Sequence, residues 1–353
     1  MMIEVRSYEG SVEELSQFVV NTWRQSYQGS MLIPDWTPDY LRWQLRLHEP
    51  ESEKRLVAAY DSGKLVGVLL FVPMEFELHG KRVSGSHASW LSVSSEYRGK
   101  GVAMALQEGA RKVHAELGLE AQVGYVYFGS KQSLGPKFWT KKNVANMQVF
   151  ARIGFWTRVL DFPRAARWNV NSLESVLTRI GAPLTPDPHV PTLPSLTIRP
   201  FKPSDLPACL KLAESATSQC DFRLIWDENK LGNQLQGFGK CLVAVENGEV
   251  RGCIGYHIIS MLGHTLEPVG ILDLVFVNEL SSTGRTALLN SVLLEMKRAG
   301  AVAALKMRSG DYPFAYFARW GWFWRWPDSL LTVKWSGDEQ DVPPVGRMHL
   351  LWR

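Results

Sequence analysis

Apolar and polar residues alternate through Ile3-Glu4-Val5-Arg6-Ser7-Tyr8, which predicts a short strand over 3–8. Helical spacing follows near 11–28 and 38–47. Strand patterns come next at 55–60 and 64–77, and a longer one runs through 82–94. A glycine-containing turn at 98–101 leads into a predicted helix at 102–117. A strand at 121–128, a helix at 143–152 and a strand from 155 complete the first half. Strands and helices mixed in this way make an α/β layer sandwich, of α+β type.

The pattern then recurs. Leu196-Thr197-Ile198-Arg199-Pro200-Phe201 repeats the opening strand, and Leu242-Val243-Ala244 repeats Leu56-Val57-Ala58. Each triplet is followed by a turn (Ser62-Gly63, Asn247-Gly248) and a second strand reaching Gly67 or Gly252, which reads as a β-hairpin. Phe150-Ala151-Arg152-Ile153-Gly154-Phe155 matches Phe317-Ala318-Arg319-Trp320-Gly321-Trp322. Three landmarks in one order imply two tandem modules of one fold. Their offset falls from 193 to 167, so the second copy is the shorter. Between the copies, Pro183, Pro186, Pro188, Pro191 and Pro194 exclude a helix and favour an extended connector. The expected organisation is a first module over 1–165, a connector over 166–194 and a second module over 195–353.

Composition narrows the class. The 353 residues suit about two domains. With 45% hydrophobic and 21% charged residues, the chain is neither disordered, collagenous nor coiled coil. A net charge of +4 is too small to imply a nucleic-acid partner. No apolar run reaches the ~18 residues of a membrane span. Met1-Met2-Ile3-Glu4-Val5-Arg6 lacks the apolar region of a secretory signal. The cysteines, Cys209, Cys220, Cys241 and Cys253, form no C-x-x-C pair. Buried thiols of a cytoplasmic protein, with no metal site, are therefore expected.

The chemistry concentrates in Trp90-Leu91-Ser92-Val93-Ser94-Ser95-Glu96-Tyr97-Arg98-Gly99-Lys100-Gly101-Val102-Ala103. An apolar strand runs into a glycine turn that opens a helix. Backbone N–H groups at such a helix start have no intrahelical partner, and the helix dipole adds positive charge. Gly99 and Gly101 let an anion approach the backbone, while Arg98 and Lys100 add formal charge.

This Arg-x-x-Gly-x-Ala segment after a strand ending in Val resembles the acyl-CoA signature of the GNAT N-acyltransferase superfamily. The resemblance implies modules built on mixed, mostly antiparallel twisted sheets flanked by helices. It implies that Arg98, Gly99, Lys100, Gly101, Val102 and Ala103 hold the CoA pyrophosphate, and Val93 the pantetheine. Asn143-Val144-Ala145 through Phe150 and Gly154-Phe155 resembles the family's second motif, which assigns Asn143 and Phe150 to the CoA arm. Many members carry at the Phe150 position a Tyr that protonates the leaving thiolate. A phenyl ring cannot do this, so the acid passes to Tyr125, Tyr127 or water. Family members often place a Glu six residues before the strand-end Val, and His87 stands there. An imidazole can take the proton from an amine nucleophile. Strand alternation sets His87, Ser89, Leu91 and Val93 on one face. Glu75 and Glu77 are the other candidate bases. Backbone N–H groups near Leu91 or Val93 would hold the oxyanion. Lys137, Lys141 and Lys142 form a basic run suited to a phosphate or to solvent.

In the second copy, aligning Val277 with Val93 puts Arg285 at the Gly101 position, where a bulky side chain obstructs a pyrophosphate. That module is expected to bind no CoA. Asp273, in an apolar strand, either orients an amine or is a structural carboxylate. The layout resembles the tandem N-myristoyltransferases and mycothiol synthase. Together these resemblances imply transfer of an acyl group, foremost acetyl, from acetyl-CoA or another acyl-CoA to an amine by direct attack. The acceptor is a small amine or a peptide N-terminal or lysine amine, and the protein a monomer or homodimer. The competing readings are a non-catalytic acyl-CoA binder and a longer-chain fatty-acyl transferase.

Overall fold

The structure, a computed structural model, describes residues 3–128, 135–139, 146–181, 185–312, 317, 321–338 and 340–353. The chain divides into two compact units. The first holds Met1–Ile153, Asp328–Val345 and Arg353, and the second Gly154–Pro327 and Gly346–Trp352.

In the first unit the chain runs β1 (Ile3–Ser7), α1 (Val12–Tyr27), β2 (Ile33–Pro34), α2 (Pro38–Gln44), β3 (Leu56–Asp61), β4 (Lys64–Leu78) and β5 (Lys81–Val93). It continues through α3 (Val102–Glu116), β6 (Ala121–Tyr127), α4 (Gly135–Phe138) and β7 (Met147–Ile153). The second unit holds β8 (Phe155–Val159), α5 (Phe162–Trp168), α6 (Ser172–Gly181), β9 (Leu196–Pro200), α7 (Leu206–Thr217), β10 (Phe222–Leu224) and α8 (Glu228–Leu235). After these come β11 (Lys240–Glu246), β12 (Glu249–Leu262), β13 (Leu266–Phe276), α9 (Ser282–Arg298), β14 (Ala303–Met307) and β15 (Phe323–Trp324). The chain then returns to the first unit as β16 (Ser329–Trp335), and β17 (Met348–His349) lies in the second.

Both sheets follow one plan. The first is ordered β1-β3-β4-β5-β6-β16-β7 and the second, read in reverse, β9-β11-β12-β13-β14-β8-β15. Along each of these orders only the fourth and fifth strands are parallel (β5 with β6, β13 with β14) and the other neighbours antiparallel; off the first order, β10 and β17 form a further parallel pair. Two mostly antiparallel sheets flanked by helices are thus the observed form of the duplication. Each sheet takes its penultimate strand from the opposite half of the sequence, β16 in one and β8 in the other.

Local sequence explains the early helices. Ser11 and Glu14 form a reciprocal capping box at the start of α1, and Thr37 caps α2 with Pro38 at its first turn. In the first unit, Val102, Leu106 and Ala110 of α3 pack with Val57, Leu69, Phe71 and Ala88. The second core gathers Leu288, Val292 and Met296 of α9 against Ile254, Leu272 and Trp156.

Three expectations change. The helix expected over 143–152 is strand from Met147 onward, paired with β16 from Met147–Lys334 to Ile153–Ser329. Asn146 breaks any helix there with a left-handed φ of 58°. The Phe150 and Phe317 landmarks therefore differ in structure, since Phe150 is in a strand and Phe317 is helical. The segment expected as connector carries the end of α5 and all of α6, and among its described residues 169–171 and 185–194 lack helix and strand. Finally, the units are not contiguous in sequence, because β16 completes the first sheet and β8 the second.

Candidate active site

Strand β5 pairs with β6 only at Gly85–Ala121, Ser86–Gln122 and His87–Val123, and beyond that the two parallel strands separate. On its other edge β5 carries a bulge. Val68 faces Ser92 and Leu70 faces Ser89, leaving Trp90 and Leu91 both opposite Leu69. Trp90 adopts φ 58°, a costly backbone for a bulky residue. A bulge frees backbone groups from the ladder and re-aims side chains. It also breaks the alternation expected over 87–93. Leu91 and Val93 pack toward the α3 core with Ala88, whereas Ser92 receives a 3.0 Å hydrogen bond from Trp23 Nε1 of α1. His87 therefore lies on the other face from Leu91 and Val93.

At the open end of β5 the chain turns into α3. Gly99 and Gly101 have φ of 73° and 82°, and a Cβ on either would meet nothing within 4 Å. The turn thus needs glycine for its backbone and leaves room above it. Gly101 is the N-cap of α3 and provides no side-chain cap. The first intrahelical bond runs from Ala105 N–H to Gly101 O at 3.0 Å, so the N–H groups of the first turn remain for an anion. Arg98 hydrogen-bonds Ser26 Oγ, and Lys100 sits 5.1 Å from the Tyr97 ring centroid.

A cavity of about 490 Å³ opens between the separated strands and this turn. Of the expected site residues, Leu91, Val93, Arg98, Gly99, Gly101, Val102, Ala103 and Tyr125 line it, as does Tyr127. His87 is fully buried behind the lining, its ring 5.4 Å from that of Tyr125. Neither ring nitrogen has a hydrogen-bond partner among the described residues. Burial, and then the nearby Arg353 charge, push its pKa well below the usual imidazole range, so it is neutral. Phe150 is half-buried on β7 and absent from the lining. Asn143, Lys141 and Lys142 lie outside the described residues, as does the Lys137 side chain. Glu75 instead accepts a 3.0 Å bond from Ser84 Oγ, and neither it nor Glu77 borders the cavity.

The cavity also holds residues that sequence reasoning missed: Trp23, Tyr27, Trp36, Trp139, Lys334 and Arg353. A signal existed for two of them, since Trp23 and Tyr27 sit four apart on one face of α1. Lys334, the penultimate residue of β16, is half-buried, and burial lowers its pKa. Its Nζ donates to Gln107 Oε1 at 3.2 Å. Nearby, His114 shares a 3.0 Å hydrogen bond with Ser86, and burial followed by the Lys334 charge lowers its pKa to about 4.

The second unit closes the corresponding place. Strands β13 and β14 pair from Val269–Ala303 to Leu272–Lys306, and Asp273 is the bulged residue that follows. Its carboxylate bonds buried His257 Nδ1 at 2.7 Å, the structural role of the two envisaged. Lys306 Nζ donates to Asp273 O at 3.3 Å and lies 3.7 Å from Asp311, which in turn bonds His349 Nδ1 at 2.9 Å. Burial raises the Asp311 pKa, but Lys306 and His349 outweigh it and hold the carboxyl at about 2. The N-cap of α9 is Ser281, whose Oγ accepts from Gly284 N–H at 3.1 Å. Ser281 rather than Arg285 thus takes the Gly101 role. Arg285 lies in the first turn and folds back onto the carbonyls of Leu280 and Asn278, both at 2.9 Å.

The four cysteines are buried and free. Burial pushes the Cys220 thiol up to about 12, far from a nucleophilic thiolate.

Residues 10–127 match the family model of the acetyltransferase (GNAT) domain. No curated protein matches the chain by sequence. Among solved structures, Saccharomyces cerevisiae N-myristoyltransferase with bound myristoyl-CoA aligns with 95% of this chain and 82% of its own, at 13% identity and a TM-score of 0.73. A GCN5-related N-acetyltransferase from Anabaena variabilis covers 95% and 73% at 13% identity and TM-score 0.56. One from Kribbella flavida covers 95% and 72% at 13% identity and TM-score 0.54. The likenesses show the fold, and the family match over residues 10–127 supports an acyltransferase as the class. More particularly, residues 10–127 are a GNAT domain, set in a chain with the two-unit layout of N-myristoyltransferase.

Proposed function

We propose that the first unit transfers an acyl group, acetyl in the first instance, from acyl-CoA to an amine by direct attack. The observation that carries this reading is the gap between β5 and β6 beyond His87 and Val123, which ends at the uncapped start of α3. The free edge of β5 through Val93 suits the amide groups of pantetheine. The α3 N–H groups, with Arg98 and Lys100, suit the pyrophosphate. The residues present fit the co-substrate, since a Cβ at Gly99 or Gly101 would meet open space.

The amine lone pair adds to the thioester carbonyl carbon, and a backbone N–H of β5 near Leu91 or Val93 donates to the oxyanion. Collapse expels the CoA thiolate and leaves one proton to remove from the nitrogen and one to add to sulfur. Tyr125 O–H, which lines the cavity, takes the first while passing its own phenolic proton to neutral His87 behind it, and the reverse relay then delivers that proton to sulfur and restores both groups. A neutral His87 predicts that activity persists well below pH 6.5 before this group is titrated. If His87→Ala leaves the pH–rate profile unchanged, His87 leaves the mechanism.

A longer fatty-acyl donor is the second reading, favoured by the fold shared with a myristoyl-CoA complex and by the cavity of about 490 Å³. The acceptor is a small amine or a peptide amine. A cytoplasmic setting agrees with four free thiols. Among the described residues no helix is long and apolar enough to cross a membrane.

Thermal unfolding with CoA, acetyl-CoA and myristoyl-CoA tests the donor. A ligand at 100 times its Kd adds about 2.7 kcal/mol of stability, a clear shift in Tm. Turnover with any amine separates the enzyme from a non-catalytic acyl-CoA binder. No shift with any thioester removes the CoA assignment.

A further inference from the structure

Helix α6 is amphipathic in the inverted sense. Leu173, Val176, Leu177 and Ile180, at i, i+3, i+4 and i+7, are 67%, 51%, 57% and 60% exposed. Of its polar residues, Glu174, Ser175 and Thr178 turn inward. The Glu174 carboxylate accepts from Asn169 Nδ2 and Arg325 Nη2, both at 3.0 Å, and Ser175 Oγ donates to Ala166 O at 2.6 Å. A surface helix in water normally does the reverse.

The segment 323–326 extends the same surface. Phe323 lies at the Gly181 end of α6, where an added Cβ would stand 3.6 Å from its ring, and Arg325 lies at the Glu174 end. Trp324 and Trp326 are 53% and 78% exposed, with ring centroids 4.9 Å apart. Seven of the eleven large apolar side chains exposed among the described residues fall in this one patch. Such concentration marks a contact surface rather than scattered exposure.

The surrounding charge selects the partner. Between 162 and 181, Arg164 is paired with Glu267 and Asp161, and the single acid Glu174 with Arg325, which leaves Arg167 and Arg179 as the charges of this surface. Arg167 and Arg179 are exposed, and the Arg308 guanidinium sits 4.8 Å from the Trp324 ring centroid. A self-complementary contact with a second copy would bring these arginines against each other. An apolar helix face edged by tryptophan and arginine suits instead the boundary between acyl chains and anionic headgroups. We infer that α6 and the 323–326 segment form a docking surface for an anionic lipid bilayer, lying on it without crossing.

Vesicle flotation with the full chain tests this. Phosphatidylcholine vesicles carrying phosphatidylserine should retain the protein about tenfold more strongly than phosphatidylcholine alone, less so as salt rises. The pair Leu177→Asp and Trp326→Asp should abolish retention. The pair Arg167→Glu and Arg179→Glu should abolish the preference for the anionic lipid. These side chains are exposed, so Tm and CoA-induced stabilisation should stay as in the parent. Absence of binding to either vesicle, or retention unchanged in both variants, overturns the inference. So does a dimer in sedimentation velocity that the Leu177→Asp, Trp326→Asp variant dissolves while vesicles bind nothing.

Discussion

The two gaps between parallel strands began as copies and now differ in what fills them. In the first unit the gap beyond His87 and Val123 is open, and the helix at its mouth begins on a glycine without a cap. In the second the gap beyond Leu272 and Lys306 is packed with Asp273, Lys306, Asp311 and His349, and α9 carries its own Ser281 cap. One gap leaves polar groups for a ligand, while the other satisfies them internally. A fold that must bury a splayed pair of strands has these two solutions, and only the open one leaves room for a substrate.

Breaking the closed gap should cost most. Asp311→Ala leaves Lys306 buried without its carboxylate, and an uncompensated buried charge costs about 3–5 kcal/mol. Chemical denaturation should show that loss while CoA-induced stabilisation stays at the parental size. A loss of CoA binding with it would make the closed gap part of the donor site.

Acid should then separate the units. The His114 pKa is about 4 in the folded chain, against 6.5 ordinarily. Its neutral form is favoured by folding, so its contribution is complete above pH 6.5 and falls as pH drops toward 4. At about 1.4 kcal/mol per unit the loss reaches about 3 kcal/mol. His114→Gln should flatten stability across that window.

Closing the open gap comes next. Gly101→Val puts a β-branched residue at φ 82° and a side chain over the α3 N–H groups. The kcat/KM for acyl-CoA should fall about 100-fold, equivalent to about 2.7 kcal/mol. The smallest effect belongs to Asp311 titration. Its folded pKa is about 2 against 3.8 ordinarily, so its contribution is present above that ordinary value and is lost as pH falls through 2. The loss is about 2 kcal/mol, at lower pH than the His114 window.

Local physics made much of this legible in the sequence. Strand alternation, helical spacing and the hairpin turns located the elements through β6 apart from the two-residue β2, and Gly99 and Gly101 pointed to the uncapped start of α3. What escaped depends on partners distant in sequence. Met147–Ile153 reads as helix until β16, from the far end of the chain, supplies its ladder. Trp90 and Leu91 follow a bulge that only register against β4 reveals, so the faces of β5 were misjudged beyond it. Lys334 and Arg353 enter the cavity from segments that the repeat assigned to the other module. The inward polar face of α6 depends on Arg325 and Ala166, outside the helix.

The most direct test of the contrast is the stoichiometry of CoA binding by titration calorimetry on the full chain. One CoA per chain, lost in Gly101→Val and kept in Asp311→Ala under conditions where that variant is folded, is the predicted result. Two per chain would contradict the closure of the second gap, and none would contradict the open site in the first.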